Sequence, residues 1–293
     1  MKSGDLTCVV SSMDGGLIAA ISSLDHFIRL LDVRRNRLLI LKGDKAVRSL
    51  AISNDGKILA SGWADGRIIL WNASGERIAE WRGHSFDVTS LDISQDGTLL
   101  ISGDSNGVIR LWKVASLEPV LELLASQNQV YKVFLSPDGR SVAALYRENL
   151  FRDPLLQVWE TVKNSPWKLC EVRCVSFHPV GDRLAVVLPY DVYMMTLSGQ
   201  TVWKWQDDEG GNRLVAFSPD GNLLAVGNCL KNYATILDAE TGDWNPVEYK
   251  NNSPYDSPCC ISFSRERLLA IGGKYGSVQV FSENGRRLWT RLI

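Results

Sequence analysis

A short turn sequence recurs seven times along the chain at nearly constant spacing. Asp and Gly dominate these turns, and both residues tolerate the positive φ angles that tight hairpin turns require. Successive turns lie roughly 40 residues apart, a period typical of proteins built from repeated supersecondary units. The copies are Met13-Asp14-Gly15, Asn54-Asp55-Gly56, Gln95-Asp96-Gly97, Pro137-Asp138-Gly139, Val180-Gly181, Pro219-Asp220-Gly221 and a degenerate Arg265-Glu266-Arg267. We therefore predict a repeat protein with one hairpin at this point of each repeat.

An apolar strand precedes each turn, and its positions correspond from one repeat to the next. The sixth residue before the turn Gly, or before its equivalent, is aliphatic in every repeat: Val9, Leu50, Leu91, Val133, Val175, Val215 and Ile261. The residue before it is mostly small, as at Cys8, Ser49 and Ser90. Large and small residues that alternate with period two suit a sheet that packs on both faces. Three further strand-like segments follow in each repeat, so each repeat predicts one four-stranded sheet.

The overall composition is nearly neutral, with 32 Lys and Arg against 33 Asp and Glu. We expect no direct contact with nucleic acid or a membrane, because there is neither a basic bias nor an apolar run of about 18 residues. The first residues lack the apolar stretch of a secretory signal, which favours a cytoplasmic protein. The cysteines and histidines show no zinc-site spacing, and no phosphate loop or nucleophile motif occurs. We therefore expect no metal, no cofactor and no catalytic residue.

One repeat can be matched to a known family. The third repeat resembles a complete WD repeat through Arg82-Gly83-His84, Val88, Ser94-Gln95-Asp96-Gly97, Ser102-Gly103 and Leu111-Trp112. Related patterns cover nearly the whole chain. The resemblance implies an all-β fold, a seven-bladed β-propeller of four-stranded antiparallel blades. It also implies one domain over residues 1–293, with blades at approximately 1–42, 43–83, 84–124, 125–169, 170–206, 207–249 and 250–293.

The chain departs from the family pattern in its polar residues. The Gly-His pair survives only at Gly83-His84, and no repeat contains a literal Trp-Asp pair. The resemblance implies a structural hydrogen-bond network in two repeats, because buried hydroxyl, carboxylate and imidazole groups must bond to one another. Its expected members are His84, Ser102, Asn106 and Trp112 in repeat 3, and Ser61, Asp65 and Trp71 in repeat 2.

Both ends of the chain contain a complete set of strands. The segment from Leu6 to Val10 aligns with the innermost strand of a blade, and the segment from Arg286 to Leu292 aligns with an outermost strand. Many members of the family instead close the ring with an outer strand that the two ends share. We expect closure without a shared outer strand. The alternative is that the chain was separated from a longer protein.

One position of the innermost strand is neither uniformly apolar nor uniformly small. It lies eight residues before the turn Gly and is occupied by Thr7, Arg48, Thr89, Tyr131, Arg173, Arg213 and Cys259. The resemblance places this position at the mouth of the central channel, where WD propellers commonly bind peptides. Three guanidinium groups there suit an acidic side chain, a phosphate or a carboxylate. The alternative is that each arginine pairs with a local acid and ties neighbouring blades together.

The residue that leaves the second strand is a second candidate on the same face. It is Trp63 in repeat 2, Asp104 in repeat 3 and Tyr146 in repeat 4. Aromatic residues beside arginine are typical of interface hot spots. We therefore add these three residues to the predicted partner-binding set.

Repeat 4 also carries an insertion after its second strand, from Arg147 to Pro154. Insertions in a single repeat tend to lie on a binding face. Arg147, Phe151 and Arg152 therefore complete the predicted set, although Phe151 suits equally well a role in pinning the loop to the blade.

The favoured function is a non-catalytic scaffold or sensor within a larger complex. It would bind a protein or peptide, with an acidic one the best match to the arginines, at the channel-mouth face. The first alternative is an architectural subunit that packs through a tryptophan-rich rim containing Trp203 and Trp205. The second is a propeller hydrolase, but the two candidate positions supply only Asp104 as an acid.

Overall fold

The computed structural model describes residues 6–22, 26–124, 128–147, 154–160, 166–207, 210–230, 233–250, 258–263, 267–273, 277–282 and 286–292. All regular elements in these segments are β-strands, which form seven four-stranded antiparallel sheets. The chain therefore has the predicted all-β fold, a seven-bladed β-propeller. It forms two compact units, Met1–Pro166 and Trp167–Ile293. A single domain over residues 1–293 and the blade limits given above stay predictions.

The first three sheets have strands of uniform length. Blade 1 contains β1 (Leu6–Ser11), β2 (Leu17–Ser22), β3 (Phe27–Asp32) and β4 (Arg37–Lys42). Blade 2 contains β5 (Val47–Ile52), β6 (Ile58–Trp63), β7 (Arg67–Asn72) and β8 (Arg77–Arg82). Blade 3 contains β9 (Val88–Ile93), β10 (Leu99–Asp104), β11 (Val108–Lys113) and β12 (Pro119–Leu124).

The other four sheets vary more in strand length. Blade 4 contains β13 (Gln129–Leu135), β14 (Ser141–Arg147), β15 (Leu155–Glu160) and β16 (Trp167–Leu169). Blade 5 contains β17 (Cys174–Phe177), β18 (Arg183–Val187), β19 (Asp191–Thr196) and β20 (Thr201–Gln206). Blade 6 contains β21 (Asn212–Phe217), β22 (Leu223–Asn228), β23 (Tyr233–Asp238) and β24 (Trp244–Lys250). Blade 7 contains β25 (Pro258–Phe263), β26 (Leu269–Gly273), β27 (Ser277–Phe281) and β28 (Arg287–Leu292).

Every sheet is a meander of four consecutive strands, each paired with the next along the chain. The first sheet consists of β1 to β4 and the last of β25 to β28. As predicted, the two ends of the chain share no outer strand among the described residues.

A side-chain motif stabilises the recurring turn. In repeat 2 the Ser53 hydroxyl donates to Asp55 Oδ1 over 2.7 Å and accepts the Ile58 N–H at 3.1 Å. Asp55 also accepts the Lys57 N–H at 3.0 Å, and Gly56 adopts a φ of 68°. Four other repeats have the same Ser–Asp bond, from Ser12, Ser94, Ser136 and Ser218. The recurrence in the sequence is thus the recurrence of one hydrogen-bonded turn.

Apolar side chains fill the space between neighbouring blades within each unit. Burying one such side chain contributes roughly 1.5–3 kcal/mol to the free energy of unfolding. The cluster between the first two blades includes Ile28, Leu30, Leu50, Leu59, Ile69 and Trp71. The cluster between blades 5 and 6 includes Val187, Met194, Val215, Leu224, Val226 and Leu237.

Polar side chains of β9 also bind the backbone of β13 in the next blade. The Ser90 hydroxyl accepts the Val133 N–H at 3.1 Å, and the Asp92 carboxylate accepts the Leu135 N–H at 2.9 Å. Burial raises the pKa of Asp92 to about 6, although these backbone donors and Lys132 favour its ionised form. The sheet-to-sheet contact therefore contains a carboxyl group that titrates near neutral pH.

We expect Asp92 to make the protein more stable as the pH falls from about 7 to about 5. Its pKa in the folded state lies above the unfolded value of about 3.9, so the folded state binds the proton more tightly. Its contribution to the free energy of unfolding should rise by about 1 kcal/mol over this range. Urea unfolding of wild type and Asp92→Asn at both pH values measures the difference. An identical pH dependence in the two proteins would contradict the assignment.

Candidate functional site

A β-bulge lies at the same place in the innermost strand of six blades. In blade 2 the register with β6 shifts between Val47 and Ser49, which leaves Arg48 as the extra residue. In blade 5 the described strand begins immediately after Arg173. The remaining shifts enclose Thr7, Thr89, Tyr131, Arg213 and Cys259. A bulge releases one residue from the alternation of the pleat, which explains why this position is neither uniformly apolar nor uniformly small.

Arg48 pairs with an acid of the next blade. Its side chain is 49% exposed, and its Nε donates to Asp87 Oδ2 over 3.1 Å. This contact matches the alternative interpretation, in which the arginine ties two blades together. An exposed pair of this kind contributes only about 0–1 kcal/mol to stability. A guanidinium group has five N–H donors, so a bond to Asp87 leaves donors for a second anion.

Tyr131 and Arg147 form a stacked pair on blade 4. Tyr131 is 47% exposed, and the Arg147 guanidinium lies 4.3 Å from the centroid of its ring. Thr89 lies on the strand between Arg48 and Tyr131, and its hydroxyl donates to the Val130 carbonyl over 2.6 Å. Because β5, β9 and β13 are neighbours in the first unit, these residues follow one another across three blades. We call Arg48, Thr89, Tyr131 and Arg147 the bulge row.

For the other arginines and for Phe151 of the predicted set, a position beside the bulge row stays a prediction. Arg173 belongs to the second unit and is partly buried, and its N–H donates to the Val187 carbonyl over 2.7 Å. The side chains of Arg213, Phe151 and Arg152 lie outside the described residues. Convergence of three arginines on one ligand therefore stays a prediction.

The polar network of blade 3 is present, but Asp104 takes the place predicted for Asn106. His84 Nε2 lies 2.6 Å from the Ser102 hydroxyl, which accepts the Trp112 indole N–H at 2.8 Å. His84 Nδ1 lies 3.1 Å from Asp104 Oδ2. The predicted member Asn106 is exposed instead, and its backbone N–H donates to Asp104. The carboxylate comes from the strand end rather than from the turn that follows.

Burial and hydrogen bonding act in opposite directions on Asp104. Burial disfavours its charge, but bonds from His84 and from the N–H groups of Val108 and Asn106 outweigh burial, so the pKa of Asp104 lies below its usual value. The Asp–His–Ser order is also that of a hydrolase triad. His84 and Ser102 are 2% and 0% exposed, and Ser102 already bonds to Trp112, so no substrate reaches this hydroxyl.

In blade 2 a tryptophan takes the place of the buried His84–Asp104 pair of blade 3. Trp63 occupies the position of Asp104 and is fully buried, and its indole N–H donates to the Ser61 hydroxyl over 3.0 Å. Gly43 occupies the position of His84, and a Cβ atom there would lie 1.9 Å from Trp63 Cζ3. The indole ring therefore fills the space that the histidine side chain takes in blade 3. It also bonds to the corresponding serine.

Of the predicted blade 2 network, Ser61 and Trp71 are hydrogen bonded to each other and Asp65 lies outside it. Ser61 accepts the Trp71 indole N–H at 2.8 Å, as predicted for this pair. Asp65 takes no part, because its carboxylate pairs with Arg67 over 2.7 Å in the turn between β6 and β7. Asp65 is thus the counterpart of Asn106, outside the network in both blades.

Blades 4 and 6 have two other buried side chains at the position of Trp63 and Asp104, the end of the second strand. Tyr146 in blade 4 is 2% exposed, and its hydroxyl donates to Gln157 Oε1 over 2.8 Å. Asn228 in blade 6 is fully buried and donates to the Asp207 carboxylate over 3.1 Å. The position at the end of the second strand is therefore an interior one. Sequence reasoning had no signal for the Asp207–Asn228 pair, because neither residue matches the family pattern.

The prediction that Trp63, Asp104 and Tyr146 bind a partner needs correction. All three side chains are at most 2% exposed and are hydrogen bonded inside their blades. An aromatic side chain at a loop end is as suitable for a core as for a surface, and here its polar atom finds an internal partner. The exposed candidates that remain in the first unit belong to the bulge row.

The tryptophans of the rim are partly covered. The Trp203 indole N–H donates to the Ala239 carbonyl over 3.1 Å, and Trp203 and Trp205 pack against the apolar cluster of blades 5 and 6. Part of their apolar surface is therefore covered within the second unit, and packing of this rim in a larger assembly stays a prediction.

No group of three or more His, Cys, Asp or Glu residues in the described segments is placed to hold a metal ion. The same segments contain no helix with the length and apolar character needed to cross a membrane.

Comparison with protein families gives two matches. The model described as "WD domain, G-beta repeat" matches residues 35–72 and 75–113. The model described as "Anaphase-promoting complex subunit 4 WD40 domain" matches residues 189–266. The first covers the last strand of blade 1, blade 2 and the first three strands of blade 3, and the second covers parts of blades 5 to 7. No curated protein matches the sequence.

Solved structures share the fold over most of the chain. A chain of the Kuenenia stuttgartiensis hydrazine synthase aligns with a TM-score of 0.74 and 15% identity, over 96% of both chains. A chain of a mitotic checkpoint complex aligns with a TM-score of 0.73 and 17% identity, over 91% of this chain and 83% of that one. Identities this low show a common architecture.

Proposed function

Since this chain belongs to the WD-repeat family of β-propeller proteins, we propose that it is a non-catalytic scaffold that binds a segment of another protein. The proposed place of action is the cytoplasm. One matching family model is named after a subunit of the anaphase-promoting complex, and one similar structure is a mitotic checkpoint complex. Both names support a role inside a larger assembly.

The bulge row is the observation that carries the proposal. In the first unit it puts a half-exposed arginine of blade 2 and a half-exposed tyrosine of blade 4 at corresponding places, with Thr89 of blade 3 between them. The Arg147 guanidinium is already stacked on Tyr131, so less side-chain entropy is lost when this pair binds a partner. Tyrosine and arginine are also the residue types enriched in interface hot spots.

The charges around the row favour an acidic partner segment. Arg48, Lys132 and Arg147 are cationic: Arg48 pairs with Asp87, Lys132 interacts electrostatically with Asp92, and Arg147 is stacked on Tyr131. Lys132 is exposed, and its ammonium lies 5.1 Å from the centroid of the Phe134 ring. A carboxylate-bearing segment would gain charge-assisted hydrogen bonds from Arg48 and Arg147.

A photo-crosslinking residue at Tyr131 tests the proposal in the cells that make the protein. We expect Tyr131→p-benzoylphenylalanine to give a discrete adduct with one other protein. The adduct should fall at least about fivefold when Arg48→Glu and Arg147→Ala are added, because each favourable charge contact contributes about 1 kcal/mol or more. Mass spectrometry of the adduct identifies the crosslinked segment and its acidic residues.

Two controls make the result specific. The same crosslinker at Met13 should give no adduct with that protein. Met13 is exposed just after β1, at the end of this strand opposite its bulge. Arg77→Glu, an exposed charge reversal in β8 on the far edge of blade 2, should leave the adduct unchanged. Equal adducts from Tyr131 and Met13, or an adduct that persists in the Arg48→Glu, Arg147→Ala protein, would count against the bulge row.

A further inference from the structure

The outermost strand of blade 1 is an exposed edge with apolar side chains. β4 lies at the end of its sheet, and among the strands that the structure describes it pairs with β3 alone. Leu38 and Ile40 are 58% and 44% exposed, whereas Leu41 is buried against the core. Between Arg37 and Lys42 the strand contains no polar residue. An apolar edge of this kind is a template for another strand.

The outer strands of blades 2, 3, 5 and 6 carry a charge where β4 has Ile40, and the outer strand of blade 7 has Thr290 there. Ile40 faces Arg29 of the third strand, and the residue in the same register is Glu122 in blade 3, which faces Arg110. Glu122 and Arg110 form an ion pair of 2.8 Å. The same position holds Glu80 in blade 2 and Lys204 in blade 5. Charges in the middle of an edge strand discourage the addition of a further strand, and blade 1 lacks one.

β4 also lacks the bulge that interrupts the outer strands of five other blades. Its six residues pair with β3 in continuous register from Phe27–Lys42 to Asp32–Arg37. A register shift occurs between the third and fourth strands of blades 2, 3, 5, 6 and 7. A bulge bends and twists an edge, so its absence leaves β4 regular enough for a complete ladder of backbone hydrogen bonds.

The charges at the ends of β4 indicate what the added strand is. Arg37 and Lys42 are exposed at its two ends, and Arg34 and Arg35 lie in the preceding turn, where they pair with Asp14 and Asp32. Two copies of β4 in antiparallel pairing would bring the Arg37 end of one against the Lys42 end of the other, which is repulsive. A segment with acidic ends is complementary instead.

We propose that β4 binds an extended segment of a partner protein as a fifth strand of blade 1. The segment has apolar residues at alternate positions, which contact Leu38 and Ile40, and acidic residues at its ends, which meet Arg37 and Lys42. Backbone hydrogen bonds give such an added strand its affinity, and the alternate side chains give its specificity. This surface is separate from the bulge row, so either can fail without the other.

A synthetic peptide tests the edge directly. The probe is a fluorescein-labelled peptide in which valines alternate with threonines and glutamates stand at both ends. We expect saturable binding by fluorescence anisotropy, and slowed hydrogen exchange of alternate β4 amides in the complex. A version with N-methyl groups on alternate amides, which removes the ladder donors, should bind at least about tenfold more weakly. A version with lysine ends should also bind more weakly.

Ile40→Glu is the decisive variant. It gives Arg29 a carboxylate on the neighbouring strand, as Glu122 does for Arg110, so the fold should be retained. Binding should fall at least about tenfold, because a charge then faces the apolar residues of the peptide. Ile78→Glu is the matched control: Ile78 is 55% exposed on the bulged outer strand β8, and its substitution should not change binding.

Three results would overturn the proposal. The first is equal peptide affinity of wild type and Ile40→Glu. The second is full affinity of the N-methylated peptide, which would show that no backbone ladder forms. The third is a wild-type dimer in sedimentation that Ile40→Glu converts to a monomer, since a second copy of the chain would then occupy the edge.

Discussion

Gly43→His and Trp63→Asp are each expected to destabilise the protein by about 4 kcal/mol, and the double variant by much less. Gly43→His forces a side chain into the ring of Trp63, since even a Cβ would lie 1.9 Å from Cζ3. Trp63→Asp empties the space of a fully buried indole and places a carboxylate in it. Together the two changes install the histidine–aspartate pair that blade 3 uses.

The backbone of blade 2 is already shaped for this exchange. The Gly43 N–H donates to the His26 carbonyl over 2.8 Å, as the His84 N–H does to Gly66 over 3.0 Å. Ser61 and Trp71 stand where Ser102 and Trp112 do, with the same 2.8 Å bond. The introduced pair therefore finds its partners in place.

A double-mutant cycle measured by chemical unfolding gives the coupling. We expect the double variant to recover about 3 kcal/mol relative to the sum of the single effects. Gly43→Ala in a Trp63→Ala background is the control and should add little, because the clash partner is gone. Additive effects of Gly43→His and Trp63→Asp would show that the two positions do not share one space.

Ser61→Ala is expected to cost about 3 kcal/mol, far more than Ser→Ala at another buried site. The Ser61 hydroxyl accepts both the Trp63 and the Trp71 indole N–H, and its removal leaves two buried donors without an acceptor. Ser49→Ala is the matched control. Ser49 is also buried but only donates, to the Val88 carbonyl over 2.9 Å, so its loss should cost about 1 kcal/mol.

Urea unfolding followed by tryptophan fluorescence measures both serine variants. The native emission should also change in Ser61→Ala, because two indole groups lose their acceptor, and should stay unchanged in Ser49→Ala. Equal losses of stability would mean that the indole bonds of Ser61 contribute no more than an ordinary hydroxyl bond.

The fold was predictable because its signals are local. Asp55-Gly56 and its counterparts form a turn whose bonds reach only five residues along the chain, from Ser53 to Ile58. Large and small residues alternate before each turn because the same packing contacts recur in every blade. Seven copies of one local pattern therefore reveal the architecture even without a literal Trp-Asp pair.

The interior of each blade was not predictable, because its contacts join residues that the repeat pattern does not relate. The fit of Trp63 to Gly43 depends on the distance between a loop and a strand end. Asp104 and Asn106 are only two residues apart, and the sequence does not show that Asp104 is the one whose side chain faces His84. The variable position eight residues before the turn Gly was visible in the sequence. Its cause is an extra residue in the strand, such as Arg48, and only the register of the sheet shows this.

The consecutive order of strands in every sheet has a consequence for how the chain is made. Because blade 1 needs only β1 to β4, all its strands exist once residue 42 has been synthesised. At the ordinary pace of roughly 10 residues per second, a new blade is complete about every 4 s on the ribosome. Short loops within a sheet also close faster than long ones. The strands of each blade thus become available in the order of the message, and neighbouring blades can pack before the last residues are synthesised.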